Sequence, residues 1–234
     1  LFTPSSAIAI NPLVQPKMPY DTEKDLLPVA QVGAAGILLI ANPKSGFKNL
    51  QDMIDYAKAN PGKLAYGSWG NGSTGHLAME GIKAHYGLDM PHVPYKGTAT
   101  EVQDLLAGNI MVGFTDIASP IPHVRAGKLV AIGATGSARG PALPEVPTVK
   151  EQGYNFDADG WYGVFAPAGT PMVIVHRMNE EINKILATED MRQKFATQNM
   201  LKPPIKTAEA FAATVKSDIA LWQHMAKGVK LQIY

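Results

Sequence analysis

Cysteine is absent from all 234 residues. That excludes disulfides, thiolate metal sites and a cysteine nucleophile, and it fits an exported bacterial protein. Charge bias is missing too: 21 Lys and Arg stand against 20 Asp and Glu, for a formal net charge of +1. With the cations spread evenly, there is no electrostatic footprint for nucleic acid or an anionic membrane. No apolar run approaches the ~20 residues that span a bilayer; residues 33–41 fall well short. There is no internal repeat and no low-complexity tract. The chain opens on Leu1-Phe2-Thr3-Pro4, without an initiator Met or a leader-like segment, and reads as a mature or truncated product. What remains, 46% apolar and 18% charged, suits a globular protein of one large domain or two small ones.

The most informative stretch is Tyr66-Gly67-Ser68-Trp69-Gly70-Asn71-Gly72-Ser73-Thr74-Gly75-His76. Residues 63–66 read as a short strand and residues 77–86 as a helix. The glycines let backbone approach a ligand closely and accept φ > 0. Ser68, Ser73 and Thr74 supply hydroxyls. A helix start leaves backbone N–H groups unpaired at a positive dipole end. Together these parts make an anion cradle; the plainer alternative is a Gly/Ser loop with an ordinary N-cap. It is no P-loop, because no Gly-Lys-Ser/Thr closes it. Gly70, Gly72 and Gly75 keep G-x-G-x-x-G spacing. Yet the loop starts late after the strand, and no acidic residue closes the next strand-like run, His92-Val93-Pro94-Tyr95. No cofactor is expected.

Strand-like and helix-like segments alternate. Residues 29–41 are strand-like and end in the apolar run Ile37-Leu38-Leu39-Ile40-Ala41, which suits a strand buried on both faces. The periodicity predicts a helix over 48–60 with Leu50, Met53, Ile54 and Ala57 on one stripe, stopped by Pro61-Gly62. After the glycine loop and its helix come strands at 92–95, 110–114 and 129–134; between them lie a helix capped by Thr98 or Thr100 and running through Leu106, and a short helix at 119–126. Residues 156–165 form an aromatic-bearing strand. A helix over 172–187 follows, with Thr170 as N-cap, Pro171 at N1, and Ile174, Val175, Met178, Ile182 and Ile185 facing inward. Helices near 189–197 and 207–227 close the chain. The alternation predicts an α/β fold with substantial parallel sheet. Residues 43–134 make one lobe in this reading, and the flanks 1–42 and 135–234 a second, discontinuous one. Two crossings between lobes suit a hinge with a cleft. The glycine loop, the Tyr95-Lys96-Gly97 loop and the Thr115-Asp116 loop all lie beyond C-terminal strand ends, where open α/β sheets bind ligands.

Five motifs stand in order along the chain: Gly67-Ser68-Trp69-Gly70-Asn71-Gly72-Ser73 with His76-Leu77-Ala78; His92-Val93-Pro94-Tyr95-Lys96-Gly97; Pro122-His123-Val124-Arg125-Ala126-Gly127-Lys128-Leu129; Ala142-Leu143-Pro144-Glu145-Val146-Pro147-Thr148; and Trp161-Tyr162-Gly163-Val164-Phe165-Ala166-Pro167-Ala168-Gly169-Thr170-Pro171. In this order and spacing they resemble the Bug family, the periplasmic solute-binding receptors of tripartite tricarboxylate transporters. The resemblance covers essentially the whole chain. It implies a two-lobed, type II-like periplasmic binding protein, not an enzyme. Such a protein closes on a small carboxylate (a di- or tricarboxylate, an aromatic acid or an acidic amino acid) and hands it to the transporter's membrane components. Backbone N–H groups and hydroxyls from both lobes hold the carboxylate in such proteins. The matching positions are Ser68, Gly70, Asn71, Gly72, Ser73 and Thr74, then Lys96 and Gly97, and Asp116 at an acidic position facing the cleft. Family members begin with a strand, a glycine-rich loop and helices that supply half of the clamp. This sequence starts near the family's Thr/Ser-rich segment, at Thr3-Pro4-Ser5-Ser6, so an N-terminally truncated first lobe is expected. An omitted segment, a partner such as a second copy completing the lobe, and lost affinity all remain open.

Each candidate has a plainer alternative. Asp116 reads a ligand amino or hydroxyl group, or forms an Asx turn. Lys96 offsets a carboxylate, or is a solvated loop lysine. Tyr95 packs on a ligand or in the strand core. Trp69 suits a ligand contact or cleft wall; Trp161 suits core packing. Ser5 and Ser6 face the cleft or solvent. The six histidines form no His-x-x-x-His. His76 with Glu80, and His176 with Glu180, share helix faces, but two ligands make a poor site, and no metal is expected. Ser68 and Ser73 show no His or Asp partner in sequence, and Gly72-Ser73-Thr74-Gly75 is no nucleophile elbow. A receptor leads. The alternatives are an oligomer-forming remnant without solute uptake, and a hydrolase or transferase using the glycine loop with His76 as base.

Overall fold

The computed structural model describes residues 1–15, 17–156 and 159–227. The chain runs β1 (Phe2–Pro4), a π-helical turn (Ser6–Ile10), α1 (Asn11–Val14), β2 (Leu26–Ala35), β3 (Leu38–Ala41), α2 (Leu50–Ala59), β4 (Tyr66–Ser68), α3 (Thr74–Tyr86) and β5 (His92–Pro94). It continues through α4 (Thr98–Ala107), β6 (Val112–Thr115), α5 (Ile121–Arg125), β7 (Val130–Ala134), β8 (Gly160–Pro167), α6 (Met172–Leu186), α7 (Glu189–Thr197) and α8 (Ala208–Lys227). Two compact units result, Leu1–Ala35 with Gly160–Tyr234, and Gly36–Asp159.

In the first unit β8 lies between β1 and β2, antiparallel to both. Trp161, Phe165, Phe211, Val215 and Ile8 form one core cluster, and Val29, Ala30, Ala166, Val175 and Ala208 another. Trp161 is a core residue: its ring meets Phe211 edge-on at 5.3 Å and its indole N–H donates to Asp218 Oδ2 at 3.0 Å. The α6 stripe differs from the periodicity. Ile174, Met178 and Ile185 are 48%, 39% and 59% exposed, while Val175, Asn179 and Leu186 are buried. A polar residue sets this rotation. The Asn179 amide donates to Val29 O at 2.8 Å and Lys206 O at 3.0 Å, and those bonds turn its side of the helix inward. The helix starts at Met172 as expected, but the cap is one residue later than expected: Pro171 is the cap position, and the Thr170 hydroxyl donates to Pro167 O.

The second unit holds a five-stranded sheet in the order β5-β4-β6-β3-β7. Among the described strands, parallel pairing is confined to β4 with β5 and β6, with one further parallel bridge between Ala134 and Thr148; β3 runs antiparallel to β6 and β7, and the first unit has no parallel pair among its described strands. The expected "substantial parallel sheet" is thus three strands. The units also divide differently from 42/43 and 134/135. Ile37 N–H donates to Thr135 Oγ1 at 3.0 Å and Thr135 N–H returns to Ile37 O at 2.9 Å, which joins β3 to β7. Residues after β7 stay with it through Val149 N–H to Ala134 O at 2.7 Å. Helix α2 follows its pattern: Leu50, Met53, Ile54 and Ala57 are buried, and Asn49 caps it by accepting the Asp52 N–H. Burial of Leu50, Met53 and Ile54 contributes roughly 1.5–3 kcal/mol each.

Candidate functional site

Strand β4 ends at Ser68, and α3 begins at Thr74 after five intervening residues. Gly70 and Gly72 have φ of 147° and 71°, which side chains disfavour. Ser73 is the N-cap: its Oγ accepts the His76 N–H at 3.2 Å, and its own N–H donates to Gly70 O. The Gly72 N–H is taken from within, donating to His76 Nδ1 at 3.0 Å. The N–H groups of Asn71, Thr74 and Gly75 have no hydrogen-bond partner among the described residues. The turn therefore presents unpaired amides at the positive end of a 13-residue helix.

Trp69 folds back over this start. A Cβ on Gly75 would lie 2.7 Å from the Trp69 ring and 2.9 Å from Phe114 Cβ, so only glycine fits beneath the indole. The Tyr95-Lys96-Gly97 loop lies alongside. Tyr95 N–H donates to Ser68 O at 2.9 Å, and a Cβ on Gly70 would sit 3.6 Å from Tyr95 O. The Tyr95 phenol points to α4, donating to Asp104 Oδ2 at 2.8 Å; burial and then Asp104 push its pKa up. Lys96 is exposed and has no carboxylate partner among the described residues. Gly97, at φ 106°, heads α4 with no side-chain cap. Asp116 follows β6. Its Oδ1 accepts the Ala118 and Ser119 N–H groups at 2.9 and 2.7 Å, and its Oδ2 accepts the Ser119 hydroxyl, the geometry of an Asx turn. Ser5 and Ser6 belong to the other unit, where Ser5 is buried and its Oγ accepts the Trp161 N–H.

Three groups beneath these loops escape a reading of the sequence. Ser68 has a histidine partner after all: its Oγ lies 2.7 Å from His92 Nε2. The parallel register of Tyr66 with His92 makes this contact, and nothing local in the sequence announces it. His92 in turn stacks on His76 at 4.0 Å between centroids, and Tyr66 stacks on His92 at 4.8 Å. Burial lowers both imidazole pKa values. For His92 the neighbouring His76 and then Lys83 add to this, bringing it to about 3. Both rings are neutral near pH 7. Third, Glu101 in the first turn of α4 is fully buried, and neither carboxyl oxygen has a hydrogen-bond partner among the described residues. It occupies space left by two glycines: a Cβ would come within 3.1 Å of Glu101 Oε1 at Gly67 and within 2.6 Å at Gly113. Burial, and secondarily Asp116, push its pKa up to about 9, so it is a neutral acid.

A cavity of about 450 Å³ in the same unit is lined by Asn42, Pro43, Lys44, Leu106, His123 and Lys128. It lies at the opposite ends of the strands, since Ala41 pairs with Val112 at the start of β6. Among the described residues no cluster of three His, Asp or Glu could hold a metal, and no helix is long and apolar enough to cross a membrane.

An α/β fold with amides unpaired at a strand-to-helix turn suits the binding of an anion. The profile described as "Tripartite tricarboxylate transporter family receptor" (TctC) matches residues 2–231, and the chain belongs to that family. It is 32% identical over 235 residues to the protein BugT of Bordetella pertussis, covering 99% of this chain and 72% of BugT. Among solved structures, R. palustris Rpa4515 with adipate superposes with a TM-score of 0.88 at 29% identity, over 97% of this chain and 76% of that one. MatC from Rhodopseudomonas palustris with bound malate gives 0.83 at 27%, over 96% and 78%. The chain spans 66% and 72% of the length of two curated relatives.

Proposed function

We propose that this protein is a periplasmic receptor that captures a small organic carboxylate for a tripartite tricarboxylate-type transporter, with the carboxylate at the head of α3. The observation that carries the reading is the pair of unpaired N–H groups at Thr74 and Gly75, on a turn where the Asn71 N–H is unpaired too and the Gly72 and Ser73 amides are satisfied internally. Charge-assisted hydrogen bonds at a helix N-terminus suit a carboxylate. Lys96 supplies a cation nearby, and the Trp69 ring an apolar wall. Solved relatives that carry adipate and malate support the same ligand class.

Ser68 with His92 is the one arrangement that looks like a nucleophile and its base. It is better read as a structural tie. Ser68 is fully buried and its hydroxyl lies within hydrogen-bond reach of both Gly70 O and His92 Nε2, which ties the loop to the imidazole and leaves the serine no exposed face for a substrate. Asp116, satisfied within its own turn, is a secondary candidate for ligand contact.

A thermal-shift screen over di- and tricarboxylates, aromatic acids and acidic amino acids tests the proposal. A ligand at a hundred times its Kd stabilises by about 2.7 kcal/mol, which raises Tm by roughly 5–10 °C for a chain of this size. No shift with any class, in protein shown to be folded, overturns it.

A further inference from the structure

The glycine loop is held from beneath at two points, and each tie uses a particular nitrogen. Gly70 is held through Ser68, whose Oγ donates to Gly70 O at 3.1 Å, accepts the Gly70 N–H at 3.4 Å and lies 2.7 Å from His92 Nε2. Gly72 is held directly by His76 Nδ1 at 3.0 Å. Both glycines have positive φ, and the two imidazoles lie parallel within 8°.

We propose that His76 and His92 are positioning residues for the loop amides: His76 draws the Gly72 N–H inward as an Nδ1 acceptor, His92 locks Ser68 as an Nε2–H donor, and the Thr74 and Gly75 N–H groups are left directed at the guest. This rests on the anion-cradle reading above. The Gly72 hydrogen bond dictates the His76 tautomer, and that of His92 is assigned by the proposed arrangement. The Ser68 hydroxyl has one proton and two acceptors in reach, Gly70 O and His92 Nε2; in the proposed arrangement that proton goes to Gly70 O, so that Ser68 accepts from a His92 protonated on Nε2. The Gly72 N–H only donates, so His76 Nδ1 is bare and its proton also lies on Nε2. A second proton on His76 would set N–H against N–H and open the loop.

The surroundings favour neutral rings. The charged and titratable groups facing the pair are Glu80 and Lys83 of α3 and Tyr66 of β4. Glu80 accepts the Tyr66 hydroxyl at 2.6 Å and pairs with the Lys83 ammonium, so its charge is already balanced. Stacking between Tyr66 and His76 fixes the plane of the His92 ring.

The test uses the fact that an asparagine amide stands where Nδ1 does, and a glutamine amide where Nε2 does. His76→Asn keeps the acceptor and His76→Gln loses it; His92→Gln keeps the donor and His92→Asn loses it. The full chain is titrated calorimetrically with malate and with adipate, beside thermal unfolding of each variant. Affinity is expected to stay within about threefold of wild type for His76→Asn and His92→Gln, and to fall about tenfold or more for His76→Gln and His92→Asn. Equal losses within each pair overturn the proposal. A second measurement needs no ligand: nitrogen-15 spectra report the imidazole tautomers, and hydrogen exchange reports the Gly72 amide. Protons on both Nε2 atoms, with slow Gly72 exchange in His76→Asn and fast exchange in His76→Gln, support it; an Nδ1 proton on His76, or equal exchange in the two variants, overturns it. If wild type binds neither acid, the receptor reading falls for these ligands, and the ligand-free measurements still decide the positioning role.

Discussion

Helices α3 and α4 start on adjacent loops of the same unit, and each keeps ionisable groups uncharged underneath, but of opposite kinds. Below α3 lie two imidazoles that burial holds neutral by lowering their pKa values. Below α4 lies Glu101, which burial holds neutral by raising its pKa to about 9. The loops differ as well. The α3 loop has a serine cap, two internal ties and unpaired amides. The α4 loop has no side-chain cap and an exposed lysine. On the proposed reading, the contrast separates two ways of meeting an anion: fixed dipoles on one side, a solvated charge on the other. An ionised Glu101 would set a like charge behind both, so its neutrality belongs to the same design.

The largest expected effect comes from the pH behaviour of these buried groups. Glu101 titrates near 9 folded against 4.5 unfolded. Between those values the unfolded chain releases a proton that the folded chain keeps, so its contribution is full below pH 4.5 and drains as pH rises toward 9. His92 is the mirror image, near 3 folded against 6.5 unfolded. Its contribution is full above pH 6.5 and drains as pH falls, because the unfolded chain takes up a proton that the folded one refuses. Urea unfolding across pH should therefore show two descending limbs. Glu101→Gln should flatten the alkaline limb and stabilise the protein at pH 9 by an amount on the order of a few kcal/mol, with little change at pH 4.5. His92→Gln should flatten the acid limb alone. Equal effects of Glu101→Gln at both pH values would show that the carboxyl is not a buried neutral acid.

How far these features can be read from sequence depends on how local they are. The turn at 70–75 is legible because glycines, a serine cap and a following apolar period all lie within one window. The α2 stripe is legible for the same reason. Helix α6 misleads, because the residue that sets its rotation, Asn179, is polar and its partners Val29 and Lys206 are distant in sequence. Strand β3 reads correctly as buried, but its assignment to the second unit depends on Thr135, about a hundred residues away. Glu101 reads as an ordinary residue of a helix's first turn until Gly67 and Gly113, on two different strands, are seen to make room for it. His92 meets Ser68 only through parallel register. The local turn is visible in sequence, then, while the buttress that shapes it is nonlocal.

Glycine substitutions sharpen the same comparison at the next scale. Gly75→Ala forces a methyl into the Trp69 ring and Phe114. It should cost about 1–3 kcal/mol by overpacking, shift Trp69 fluorescence and weaken carboxylate binding. Gly97→Ala meets nothing within 4 Å and bears only the strain of its φ of 106°, which costs about 1 kcal/mol and leaves the indole signal unchanged. Equal penalties with equal fluorescence changes would mean that the α4 loop is as tightly packed as its neighbour.

The smallest effect is expected at Lys96, and salt separates it from the others. The side chain is exposed and unpaired among the described residues, so Lys96→Gln should change stability by less than about 0.5 kcal/mol. As a solvated charge near a bound carboxylate, its loss should weaken malate or adipate binding by about two- to fivefold at low ionic strength and hardly at all near ~0.5 M salt. The amide contacts proposed at Thr74 and Gly75 would be short-range and shielded, so losses caused by His76→Gln should persist in the same buffer. If the Lys96→Gln loss instead survives high salt, the ammonium touches the guest directly in a desolvated setting, and the distinction between fixed dipoles and a screened charge no longer holds.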